Sequence, residues 1–137
     1  MADKIRRVDY FYAQVPDQAG EAFKVLERLK EAGVNLISFT AFPVEGGKSQ
    51  LDFVPESSDA FTKAVKGLNI TVSPKKQAFF IQGSDRAGAV AEILKKLADA
   101  KVSGHAAAAT CGSGGGFGMI LWVKPQSYET AAKALGV

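Results

Sequence analysis

Apolar and polar positions alternate along this chain in two rhythms. Val8 to Val15 is rich in aromatic and β-branched residues and predicts a strand. Ala22, Val25, Leu26, Leu29 and Ala32 then recur at helical spacing, with Glu21, Lys24, Glu27, Arg28 and Glu31 mostly on the opposite side. Gly33 is placed to stop that helix. Val34 to Val44 predicts a second strand, Glu45-Gly46-Gly47-Lys48 a hairpin turn, and Ser49 to Val54 a third strand ended by Pro55. Ser57 or Ser58 opens a helix carrying Ala60, Phe61, Ala64, Val65 and Leu68, and Asn69 to Val72 predicts a short fourth strand. The order is βαββαβ.

The second half repeats the pattern. Gln77 to Gln82 predicts a strand, and Val90, Ile93, Leu94 and Leu97 mark a helix. Val102 to Thr110 and Phe117 to Lys124 predict strands around the glycine-rich turn Gly112 to Gly116. Ser127 opens a last helix with Tyr128, Ala131, Ala132 and Leu135, after which too few residues remain for a final strand. At one constant offset Asp17 matches Asp85, Gly20 matches Gly88, Leu26 matches Leu94, Leu29 matches Leu97 and Val34 matches Val102.

An internal repeat of this size sets the architecture. It predicts an α+β chain of two tandem ferredoxin-like βαββαβ units, the second lacking its last strand. The expected boundaries are 1–73 and 77–137, joined by the short stretch Ser73 to Gln77. Right-handed crossovers put both helices of a unit on one face of an antiparallel sheet of order 4-1-3-2. The second strand is then an edge, open to pairing.

Composition adds little to that frame and removes several alternatives. The 137 residues carry a net charge of +3, with lysines spread over the predicted helix faces. That pattern suits solvated helices better than a nucleic-acid footprint. Cys111 is alone, so no intrachain disulfide forms. The start, Met1 to Arg7, lacks the apolar run of a signal peptide, and no stretch is apolar enough to span a bilayer. The expectation is a cytoplasmic protein.

The candidate chemistry lies at the turns that open the first helix of each unit. A helix N-terminus offers unpaired N–H donors to a carboxylate, and Gly20 and Gly88 leave room for close approach. Asp17, Asp85 or the Asn35 amide oxygen can accept from an ammonium. Asp17 and Asp85 also read as N-caps alone, and Asn35 as the end of the Gly33 turn.

Other signals are weaker. Gly47-Lys48-Ser49 resembles the end of a phosphate-binding loop, but Phe42 stands where its first glycine is needed. His105 and Cys111 are six apart on one strand, roughly 20 Å, too far for a dyad or shared metal. Gly116 to Trp122 looks like the third-strand string of an RNA-recognition motif, with Phe80 as a first-strand aromatic, but lacks its leading basic residue. No nucleophile, base and orienting group converge, so neither an enzyme nor a cofactor is expected.

A strand, then Asp-x-x-Gly, then Gly-Val-Asn-Leu opening the next strand resembles the ACT domain. Asp17-Gln18-Ala19-Gly20 and Gly33-Val34-Asn35-Leu36 carry the likeness in the first copy. Asp85-Arg86-Ala87-Gly88 carries it in the second, where Lys101-Val102-Ser103-Gly104 has lost the asparagine. Ala19 and Ala87 replace the usual proline before the glycine. The resemblance implies a non-enzymatic regulatory pair that binds a small metabolite, often an amino acid, at a seam between units and signals to a partner protein. It assigns ligand binding to Asp17, Gln18, Ala19, Gly20, Asn35 and Leu36, and in the second copy to Asp85, Arg86, Gly88 and Ser103. The first copy is expected to hold the better site, in a homodimer or higher homo-oligomer. An RNA-binding module and a purely structural dimerisation module are the alternatives.

Overall fold

The computed structural model describes residues 3–137. The chain divides into two compact units, Asp9–Lys76 and a second formed by the stretch through Val8 together with Gln77–Val137. This differs from the boundary at 73 read off the repeat, which assigned the first residues to the first copy. No helix among the described residues is long and apolar enough to cross a membrane.

In the first unit the elements are β1 (Lys4–Pro16, whose part from Asp9 on belongs here), α1 (Glu21–Glu31), β2 (Leu36–Val44), β3 (Lys48–Pro55) and α2 (Ser58–Val65). β3 pairs antiparallel with both β1 and β2, which leaves β2 at the edge. One face of the sheet, through Phe11, Ala13, Val15, Leu51 and Phe53, packs on Val25, Leu29, Phe61, Ala64 and Val65 of the two helices. Phe11 stacks on Phe61 with ring centroids 4.7 Å apart. The predicted fourth strand, Asn69 to Val72, is reduced to one isolated bridge between Val72 and Ala13. Ser73 reinforces it, donating its N–H to the Tyr12 carbonyl and accepting from the Tyr12 N–H at its hydroxyl.

The second unit holds β4 (Lys76–Ser84), α3 (Ala89–Asp99), β5 (Gly104–Cys111), β6 (Gly116–Val123) and α4 (Tyr128–Leu135). β6 pairs with β4 and β5, again leaving the strand after the first helix at the edge. No strand forms after β6, as expected. The vacant place beside β4 is taken by β1, whose residues through Val8 belong to this unit. Ile5 packs against the core of Phe79, Ile81, Ile93, Leu97, Met119 and Leu121. The strand starts four residues before the predicted Val8, since Lys4, Arg6 and Arg7 interrupt the apolar rhythm; all three are exposed, while Ile5 packs on that core and Val8 is buried.

Two ion-pair clusters hold this N-terminal stretch down. Arg7 donates to both carboxylate oxygens of Glu129, at 2.7 and 3.1 Å, and to the carbonyl of Val137. Arg86 donates to both oxygens of Asp3 at 3.1 Å, to Glu92 and to the Ser84 carbonyl. Gly83 is required at this contact. A Cβ there would collide with the Asp3 carboxylate and lie 2.9 Å from the Phe117 ring.

Candidate functional site

The helix-opening turns are built differently from the sequence expectation. Asp17 and Asp85 do not cap the helices. The N-cap positions are Gly20 and Gly88, at φ 89° and 83°, with no side-chain cap bond. Only glycine adopts that left-handed geometry without strain, so a backbone turn replaces the expected carboxylate cap. The aspartates instead tie the turn to the hairpin. The Asp17 N–H donates to the Gly47 carbonyl at 2.9 Å and the Asp85 N–H to the Gly115 carbonyl at 2.8 Å. Asp17 also accepts from the Ser49 hydroxyl at 3.0 Å.

Asn35 stands just before β2 and spends its amide N–H on Glu56, 2.9 Å away, while its carbonyl accepts from the Glu56 N–H. It lies in a groove of about 400 Å³ with Leu26, Leu29, Lys30, Gly33, Val34 and Leu36. Its lining mixes leucine and valine side chains with Lys30 and Asn35, and Asn35 ties the Glu56 carboxylate to it. The C-terminal end of α1 adds partial negative charge there. Lys30 and Glu56 were not singled out from the sequence, although both are one turn or one strand end from Asn35.

Within one unit the structure does not bring Asn35 and Leu36 to the Asp17–Gly20 turn. They sit at opposite ends of α1, and its 11 residues separate them by roughly 16 Å. The second unit repeats this separation. Asp85, Arg86 and Gly88 line a groove of about 270 Å³ with Ala89, Thr110, Cys111 and Phe117, whereas Ser103 lies beyond the far end of α3. Arg86 is already committed to Asp3 and Glu92, and those bonds raise its pKa, Asp3 contributing most. Arg86 therefore serves as a clamp on the N-terminal stretch rather than as an open anion receptor.

The other signals resolve simply. Phe117 and Trp122 of the string resembling an RNA-recognition motif are buried, and the Arg6 guanidinium lies 5.2 Å from the Phe80 ring centre. The string offers neither ring for base stacking. His105 and Cys111 occupy the exposed β5, whose register slips between Gly104 and Ala106. Among the described residues no group of three or more His, Cys, Asp or Glu is arranged to hold a metal ion. Asp52 is the one buried carboxylate among the described residues. Burial pushes its pKa up, and the Gln50 amide bonded to it at 3.1 Å opposes that shift.

Comparison with known proteins gives structural relatives only. No protein-family profile and no curated protein matches the sequence. A solved protein from Bacteroides thetaiotaomicron superposes with a TM-score of 0.83 at 16% identity, covering 96% of this chain and 88% of that one. The regulatory subunit of aspartate kinase from Thermus thermophilus gives 0.66 at 16% identity, covering 98% and 94%. The corresponding subunit from Thermus flavus gives 0.62 at 18% identity, covering 99% and 95%. Identities this low speak for the fold. The chain has an ACT-type α+β fold.

Proposed function

We propose that this chain is a non-enzymatic regulatory protein that binds an amino acid and passes the binding signal to a partner protein. The observation that carries the reading is the groove at the end of α1. Lys30 suits the carboxylate of a free amino acid, the Asn35 amide oxygen and Glu56 suit its ammonium, and Leu26 and Leu36 suit an apolar side chain. The fold is shared with regulatory subunits of aspartate kinase, which supports a regulatory role and a protein partner. The lone Cys111 is in keeping with a cytoplasmic setting.

The seam belongs to a homodimer in this reading. β2 is an edge strand that starts beside Asn35 and ends at the hairpin, to which the Asp17–Gly20 turn is tied. Antiparallel pairing of β2 with the β2 of a second copy sets Asn35 of one copy near the Asp17–Gly20 turn of the other. That pairing reunites the two halves of the predicted site, Asp17, Gln18, Ala19 and Gly20 with Asn35 and Leu36. Exposed apolar surface beside the edge favours it. Phe23 is 61% exposed on the α1 stripe shared with Leu26 and Lys30, and Phe39 on β2 is 37% exposed.

A thermal-shift screen against the proteinogenic amino acids, followed by sedimentation of the bound and free protein, tests the reading. One amino acid should raise the unfolding temperature selectively and bind a dimer. A monomer indifferent to every amino acid at millimolar concentration overturns it.

A further inference from the structure

The first unit contains a second cavity, unrelated to the groove at Asn35. It lies beside β1 where the fourth strand is missing, holds about 260 Å³, and is lined chiefly by Phe11, Phe61, Val65, Lys66, Ile70 and Val72. Its origin is local. After α2 the backbone is tied by the Leu68 N–H to the Val65 carbonyl, and next at Val72 and Ser73. The span between forms no ladder on β1, and Ile70 and Val72 line the same cavity as the stacked Phe11–Phe61 pair.

We propose that this cavity binds a small carboxylic acid with an aromatic or branched apolar tail. The tail lies against Phe11 and Phe61 and the carboxylate meets Lys66. Size permits it: a dry apolar cavity of roughly 150 Å³ already accepts benzene. Charge selects the head group. Lys66 is the only charged side chain lining the cavity, it is exposed, and it forms no ion pair among the described residues. The neutral hydroxyls nearby are engaged, Thr62 donating to the Ser58 carbonyl and Ser73 to the Pro74 carbonyl. The short bonded ties at Leu68 and at Val72–Ser73 leave the intervening span as the way in.

The test is a titration of the full chain with phenylacetate, followed by amide resonances in a two-dimensional NMR spectrum. Shifts should concentrate at Phe11, Phe61, Val65 and Val72 and leave Leu26 to Leu36 unmoved, which separates this site from the proposed amino-acid groove. Lys66→Gln should weaken binding about two- to fivefold, as expected for an exposed ion pair. Phenylacetamide, with the same ring and no charge, should bind the parent about as weakly as phenylacetate binds that variant. Val72→Phe, which places a ring in the cavity, should abolish the shifts while the spectrum stays folded; Ile70→Phe is the substitute if it does not. No saturable shifts, shifts centred elsewhere, equal affinity for the amide, or binding that survives the added ring would each overturn the proposal.

Discussion

Gly33 and Lys101 hold the same place in the two units, just past the first helix. Both take a left-handed backbone, with φ 72° and 59°. Both helices close alike: the Val34 N–H reaches the Leu29 carbonyl and the Val102 N–H the Leu97 carbonyl, each at 2.9 Å. The turn geometry is thus a demand of the fold, met by glycine without strain in one unit and by a lysine against its preference in the other. The same contrast runs through the rest of the molecule. β2 carries Phe39 and Phe42 and is partly buried, whereas all eight residues of β5 are exposed. The first unit leaves its fourth strand as a single bridge, and the second obtains its own from the N-terminal stretch. The repeat fixes backbone connections while the side chains differ, so the two units need not share stability or ligand.

The sharpest way to break the comparison is to remove the residues through Arg7. The second unit then loses Ile5 and both ion-pair clusters, and the first keeps its whole core. Hydrogen exchange should show loss of protection throughout β4, β6 and α4, with β2, β3 and α1 still protected. Equal loss in both units would contradict the division at Val8.

Arg86→Ala comes next. It strands Asp3, whose side chain is only 9% exposed, without its bidentate partner. Leaving such a group unpaired costs about 1–3 kcal/mol. Denaturant unfolding followed by exchange should place that loss in the second unit, and Arg86→Lys should recover part of it.

Lys101→Gly should stabilise the second unit by about 1 kcal/mol by relieving the left-handed lysine, and Gly33→Ala should destabilise the first by a similar amount. Chemical denaturation measures both.

The smallest effect is in acid, and its sign differs between units. Arg86 bonded to Glu92, and Arg7 bonded to Glu129, hold those carboxyls below their ordinary range. Their contribution is present above the unfolded value near 4.5 and is lost as pH falls through the lower folded values. Asp52 in the first unit is raised, chiefly by burial, so it penalises folding once pH rises through its folded value, and acid relieves it. Between about pH 5 and pH 3 the second unit should lose protection before the first. Asp52→Asn should remove the first unit's share of that difference.

The sequence carried the helices, the hairpins and the edge position of the second strand, because those follow from spacing and turn residues. It did not carry the strand at Lys4 to Arg7, whose outward side chains are charged and whose apolar neighbours pack on a unit remote in sequence. Nor did it carry the true caps. An Asp before a helix reads as a cap, and only the backbone reveals that Gly20 and Gly88 take that role while Asp17 and Asp85 bond to the hairpin. For the candidate site, Asn35 and Leu36 were legible from the resemblance. Lys30 and Glu56 were not, since each reads as an ordinary surface charge until folding sets it beside Asn35.

Calorimetric titration of the amino acid selected by thermal shift, against Asn35→Ala and Ser103→Ala in parallel, tests the central claim most directly. Asn35→Ala removes a polar partner of a charged ligand, a loss of about 1.5–3 kcal/mol, or roughly ten- to hundredfold in affinity. Ser103→Ala should leave the affinity close to that of the parent. An Asn35→Ala protein that binds like the parent while Ser103→Ala fails would contradict the claim and move the site to the second unit.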